Sequence, residues 1–278
     1  MVEMTVKEML ESGVHFGHQT HRWNPRMKPF IYGARNGIHI IDLRKTIDLL
    51  AKACEFVSNR VAEGGNVLFV GTKRQAQPLV EEMAKKAGMY FMTHRWLGGT
   101  LTNFRTIKAS IDRLKDLEKK STEGGLEGLT KKEKLGVERE IIKLTQAMGG
   151  IKNMTNLPSV IFIVDPFKEK IALQEAQRLG IPVVAVADTN CNPEGIDYLI
   201  PGNDDALKAI RFFTSKIAEA CEEGLARRNQ VIREEGQEGV GSSREGTKGK
   251  AFVFKADKFE DATDGTFKGE SGVAGGTK

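Results

Sequence analysis

Apolar runs alternate with three–four repeats along most of the chain. Thr5-Val6-Lys7-Glu8 reads as a capping box that opens a short helix ending near Gly13. Residues 14–36 show no sustained period and read as a long loop, followed by a short strand at Ile38–Ile41. From Thr46, the residues Ile47, Leu50, Cys54, Val57 and Val61 recur every three or four, which predicts an amphipathic helix ending at Gly64-Gly65. Val67–Val70 is apolar throughout and predicts a buried strand; Gly71 ends it, and a helix runs to about Ala87. Met89–Met92 and Val160–Val164 are further strands, followed by a helix from about Lys168 to Leu179. Val183–Ala187 and Tyr198–Ile200 complete the set, and Asn203 is placed to cap a long helix reaching about Arg228. Wholly apolar strands alternating with helices imply an α/β domain, a doubly wound parallel sheet of about five strands covered on both faces.

Residues 103–155 interrupt this alternation. Phe104, Ile107, Ile111, Leu114 and Leu117 form one narrow stripe, and Val137, Ile141, Leu144 and Met148 form another. The turn-rich STEGGLEGLT lies between them, and Thr130 with Glu133 predicts a capping box for the second helix. Stripes this thin suit an antiparallel helical hairpin that projects from the body better than two helices laid on a sheet. The expected organisation is therefore a sheet domain from 1–102 and 156–230, an inserted hairpin at 103–155, and a tail at 231–278. The tail holds ten glycines and the stretch GQEGVGSSREGTKGK, a low-complexity composition that predicts disorder; its one apolar patch is Ala251–Phe254.

Composition narrows the function classes. With 278 residues, 40% hydrophobic and 28% charged, the chain is not collagen-like, fully disordered or a disulfide scaffold. No apolar run reaches the roughly 18 residues of a membrane span, and the acidic MVEMTVKEMLESG lacks the apolar core of a secretory signal. Cys54, Cys191 and Cys221 are odd in number and scattered, as expected of reduced thiols in a cytoplasm. The net charge of +5 is modest, but residues 1–230 carry 34 basic and 28 acidic side chains against 8 and 9 in the rest.

The distribution of that charge carries the candidate chemistry. Residues 14–36 hold Arg22, Arg26, Lys28 and Arg35 with no acid, interleaved with Phe16, Trp23, Phe30 and Tyr32. Guanidinium groups grip phosphate and rings can stack on bases, so the four cations as a set point to RNA, while the aromatics equally suit a packed loop. A second acid-free stretch, Met83 to Ile111, holds Lys85, Lys86, Arg95, Arg105 and Lys108. Within it, Gly98-Gly99 precedes Thr100, Thr102 and Asn103, a turn whose amides could hold a phosphate oxygen or simply lead into the hairpin. Gly71-Thr72-Lys73-Arg74 follows a strand but matches neither the P-loop nor the dinucleotide fingerprint, so Lys73 and Arg74 are expected to touch phosphate backbone rather than hydrolyse a nucleotide. His15, His18 and His21 are spaced like metal ligands but lack a fourth partner. Asp165, Asp188 and Asp204-Asp205 should meet at the carboxyl edge of the sheet, where they could act as caps or hold a structural divalent cation, Mg or Zn. No nucleophile–base pair stands out, and Cys191 has no nearby histidine in sequence.

The blocks HFGHQTHRWNPRMKPFIYGARNGIHIIDLRKT, FVGTKRQA, HRWLGGTLTNF, PSVIFIVDPFKEKIALQEAQRLGIPVVAVADTNCNP and IDYLIPGNDDA, in that order, resemble the bacterial small-subunit ribosomal protein number two family. The resemblance covers about residues 4–228. It implies a flavodoxin-like, Rossmann-like sheet with an inserted coiled-coil hairpin, no catalytic residues and no required cofactor. It implies a structural role in the small ribosomal subunit: binding 16S ribosomal RNA and helping recruit ribosomal protein number one, beside neighbouring small-subunit proteins. It also implies a cytoplasmic place on the ribosome, with neither membrane nor DNA as a partner. Trp23, Asn24, Pro25 and Arg26 fall in the family's first signature loop and Arg95 to Asn103 in its second. The RNA-binding set so assembled is Arg22, Trp23, Asn24, Arg26, Lys28, Arg35, Lys73, Arg74, Arg95, Thr100, Asn103, Arg105 and Lys108, with Asp188, Asp204 and Asp205 as the metal candidates. Phe104 replaces a tryptophan common in the family, and the tail after about 230 matches nothing in it. The competing readings are an enzyme acting on a nucleotide or sugar phosphate on a similar sheet, which needs a working phosphate turn, and a pure protein adaptor.

Overall fold

The computed structural model describes residues 5–122 and 130–241, with side chains to residue 233. The link at 123–129 and the tail patch Ala251–Phe254 lie outside the described residues. Residues 237–278 form a unit separate from the rest, described only as helical backbone as far as Gly241.

Five strands, β4 (Val67–Val70), β5 (Tyr90–Met92), β6 (Val160–Val164), β7 (Val183–Ala187) and β8 (Tyr198–Pro201), form a parallel sheet in the order β5-β4-β6-β7-β8. This is the flavodoxin-like order, with its switch between β4 and β6. The period of two along each strand splits the core into two layers. Val67 and Phe69 of β4, with Val160 and Phe162 of β6, face one layer. There they meet Leu50 and Val57 of α2 (Leu43–Ala62), Val80 of α3 (Gln77–Lys86) and Phe213 and Ile217 of α7 (Leu207–Gly241). Leu68, Val70, Ile161 and Ile163 face the other, against Ala172 and Ala176 of α6 (Lys170–Leu179).

The inserted segment forms two helices, α4 (Phe104–Thr122) and α5 (Lys131–Met148). Ile107 and Ile111 at the start of α4, and Met148 with Ile151 after α5, are buried in the second layer and root the pair on the sheet. Arg113 of α4 pairs with Glu140 of α5 at 2.6 Å, Lys152 beyond α5 pairs with Glu118 of α4, and Leu135 and Ile142 of α5 are exposed. Thr130 and Glu133 exchange both bonds of the expected capping box. The last helix, α7, runs well past Arg228, to Gly241.

The reading of residues 14–36 as a long loop is corrected. After α1 (Val6–Glu11), β1 (Phe16–Gln19), β2 (Ile31–Arg35) and β3 (Ile38–Ile41) form an antiparallel sheet in the order β1-β3-β2, with a 3-10 turn over Pro25–Phe30. Asn36 and Gly37 have φ of 52° and 76°, the left-handed pair that a two-residue hairpin between β2 and β3 requires. Met27 is fully buried against Ala187, Cys191 and Leu199, and pins this small sheet at the carboxyl ends of β7 and β8. Gly17 sits close there: a Cβ on it would lie 2.8 Å from the Thr189 methyl.

Candidate nucleic-acid interface

The carboxyl edge of the parallel sheet gathers the polar residues that the sequence scatters. Loops after β4, β6, β7 and β8 bring Lys73, Asp165, Asp188 and Asp204-Asp205 together, and β1 adds His18. Lys73 Nζ lies 2.8 Å from Asp165, 2.6 Å from Asp204 and 2.8 Å from Asp205. Burial favours the neutral amine, but the surrounding carboxylates, Asp204 foremost, outweigh it and hold the Lys73 ammonium above its ordinary range. The ammonium therefore fills the switch crevice with a charge supplied by the chain. Lys73, expected at RNA backbone, has its side chain in internal ion pairs.

The glycine turn is committed as well. Glu175, buried on α6, accepts the Trp96 indole N–H at 3.0 Å and the amides of Gly99, Leu101 and Thr102 at 2.8, 2.9 and 3.1 Å. Burial alone pushes this carboxyl up, but the donors from Trp96, Leu101, Gly99 and Thr102 prevail and hold it below the usual carboxylate range. A side-chain carboxylate thus occupies the place the sequence offered to a phosphate oxygen. Thr100 is fully buried, with its amide and hydroxyl both donating to the Leu97 carbonyl, so it shapes the turn and presents nothing to a partner. Asn103 likewise holds the start of α4, where its side chain accepts the Thr106 hydroxyl at 2.9 Å.

The first signature loop divides between support and surface. Asn24 caps the 3-10 turn by accepting the Arg26 amide at 3.0 Å, and its own N–H donates to the Thr189 carbonyl at 2.8 Å. Arg26 is paired with Glu194 and donates to Asn192. Trp23 is 37% exposed and tilts against the His39 ring. Arg22, Lys28, Arg35, Arg74, Arg95, Arg105 and Lys108 are all exposed, and among the described residues none of these side chains has an ion pair. Arg22 lies at the β7–β8 end of the edge beside Asp188 and Asp205, Arg74 follows β4, and Arg95 follows β5 beside His94 and Trp96. Arg105 and Lys108 stand on the first turns of α4, while Lys28 and Arg35 belong to the N-terminal sheet.

Two triads bring potential metal ligands together: His18 with Asp188 and Asp204, and Asp165 with Cys191 and Asp204. Lys73 already neutralises the second. In the first, His18 Nδ1 is 2.8 Å from Asp188, and the hydrogen bond with that carboxylate raises the imidazole's affinity for its proton against the effect of burial. Asp204 Oδ2 is buried with no hydrogen-bond partner among the described residues. An orphaned carboxylate oxygen beside an imidazole and a second carboxylate fits a nitrogen–oxygen cation such as zinc better than magnesium, which prefers oxygens alone. The sequence proposed Asp188, Asp204 and Asp205; the structure puts His18 in the triad and leaves Asp205 54% exposed at its rim, on Lys73. His18 alone of the spaced histidines joins the cluster, since His15 packs on Phe16 and His21 is exposed.

Residues 9–224 match the family described as ribosomal protein S2. The chain belongs to that family. A small ribosomal subunit protein uS2 from Maridesulfovibrio salexigens is 56% identical over 238 residues, covering 86% of this chain and 92% of the relative. Its namesake from Solidesulfovibrio magneticus is 58% identical over 231 residues, 83% and 90% of the two chains. A third, from Sorangium cellulosum, is 55% identical over 241 residues, 87% and 86%. Family membership makes this a structural ribosomal protein rather than an enzyme. The filled crevice and the occupied glycine turn show how a nucleotide-type sheet serves that role without nucleotide chemistry. Among the described residues, no helix is long and apolar enough to cross a membrane.

Proposed function

We propose that the chain is a constituent of the small ribosomal subunit that binds 16S ribosomal RNA along the carboxyl edge of its sheet and the root of α4. Neighbouring small-subunit proteins then meet its remaining surfaces, and ribosomal protein number one is recruited beside it. The α4–α5 pair acts as a coiled-coil arm of the inserted segment. One observation carries the reading: Arg22, Arg74, Arg95, Arg105 and Lys108 are exposed and lack ion pairs among the described residues, while the inner polar groups of the same edge neutralise one another. Cations without acidic partners release counterions when they meet a polyanion. Replacing Arg22, Arg105 and Lys108 by alanine should weaken 16S RNA binding and flatten its dependence on salt by about one slope unit per lost phosphate contact. Filter binding across a potassium chloride series checks this, and an unchanged slope excludes the surface. Arg26→Ala, which removes a cation already paired with Glu194, should change the slope far less.

The His18, Asp188 and Asp204 triad is proposed to hold a structural zinc ion, which would tie β1 to the ends of β7 and β8. Zinc added to metal-free protein should raise its melting temperature, and Asp188→Asn should abolish that rise.

A further inference from the structure

A cavity of about 340 Å³ opens beside the filled crevice, between the loops after β4, β5 and β6. We propose that it seats one unstacked nucleobase of the bound RNA, an inference that rests on the RNA-binding reading above. It lies next to the switch point of the sheet, where this strand order places ligands. Lys73 is not part of its lining and stays in its ion pairs with Asp165, Asp204 and Asp205.

The walls suit a planar, polar-edged ring. Trp96, 6% exposed and fixed by its bond to Glu175, and Ile171, 56% exposed, supply the apolar part of the lining. The floor is Glu169, which is buried. Its Oε1 accepts the Thr72 amide at 3.0 Å and the Thr72 hydroxyl, which locks the carboxylate in place. Oε2 has no hydrogen-bond partner among the described residues, which leaves it to accept an N–H from a base edge. Arg95 and Lys168 stand at the mouth, where the phosphates of a flipped-out nucleotide would lie; Lys168 is steadied by the Thr72 carbonyl at 2.9 Å. His94 adds a second ring to the lining. An apolar lining, one fixed acceptor and two cations in a volume of small-molecule size suit a nucleotide.

The test uses the full chain and 16S ribosomal RNA. Ile171→Glu places a carboxylate on the rim without disturbing the core, so the melting temperature should stay close to the parent's. RNA affinity should fall about tenfold, in keeping with the loss of one stacked base. Ultraviolet cross-linking of the parent complex should leave a nucleotide remnant on the peptide carrying His94 and Trp96, and the variant should lose it. Unchanged affinity with an unchanged adduct pattern overturns the seat. If Ile171→Glu binds normally while the Arg22, Arg105 and Lys108 triple variant does not, the seat fails and the RNA surface stands. If neither variant loses affinity, the RNA-binding reading fails with it.

Discussion

Glu175 concentrates more structure than any exposed arginine in this chain. Four of its contacts are N–H groups of one short segment, Trp96 to Thr102, so its carboxylate sets the shape of the second signature loop. Glu175→Ala should destabilise the fold by about 3 kcal/mol or more, because buried donors then lose their acceptor. Glu175→Gln also fails, since its amide would turn a donor toward the Leu101 and Thr102 amides. The folded carboxyl is held below the roughly 4.3 of an unfolded glutamate. Its contribution to stability is therefore full above that value and is lost as pH falls through the folded pKa. Acid melts of the parent should steepen below about pH 4, and those of Glu175→Gln should steepen less; differential scanning calorimetry across pH 3–6 resolves the two. At this scale the sequence was legible in residue type but not in partner. Gly98-Gly99 correctly marks a tight turn, yet nothing in the spacing reveals that a glutamate some seventy-five residues away fills it. His18 was hidden likewise, because a three-residue spacing of histidines says nothing of which one faces Asp188.

The elements with a strong period were the most legible. All five parallel strands were visible as apolar runs: β4, β6 and β7 because both of their faces are buried, and the edge strands β5 and β8 because their positions are buried or half-buried. Of the N-terminal sheet only β3 was, as Ile38–Ile41; β1 and β2 were not, since they hold no buried residue and their pairings with β3 shift register. Their one local signal was Asn36-Gly37, the dipeptide of a tight hairpin. Gly17→Ala tests how that sheet is attached: the added methyl meets Thr189 and Asp188, so the cost should be about 1–3 kcal/mol. Hydrogen exchange should show the loss first in β1 and β3, ahead of the parallel sheet. In the inserted pair, Thr130→Ala removes the capping box of α5. Amides in the first turn of that helix should then exchange several-fold faster, with the global melt nearly unchanged, because α5 buries only Met148.

Over the whole molecule, the family match ends at residue 224, and among the described residues the last one buried in the core is Cys221. The tail from 231 also carries 8 basic and 9 acidic residues, so it adds no net attraction for a polyanion. A chain cut after Gly241 should keep the parent's melting temperature and the parent's salt slope in RNA binding, which calorimetry and filter binding would report. The ammonium of Lys73 bears on the molecule at this scale too. Carboxylates gathered at a sheet edge, as Asp165, Asp204 and Asp205 are here, need a cation beside them, and where that cation diffuses the edge depends on its supply. Here the counter-ion is covalently part of the polypeptide, present at one copy per site. The charge balance of that edge is accordingly fixed when the chain folds and does not wait on an ion from solution.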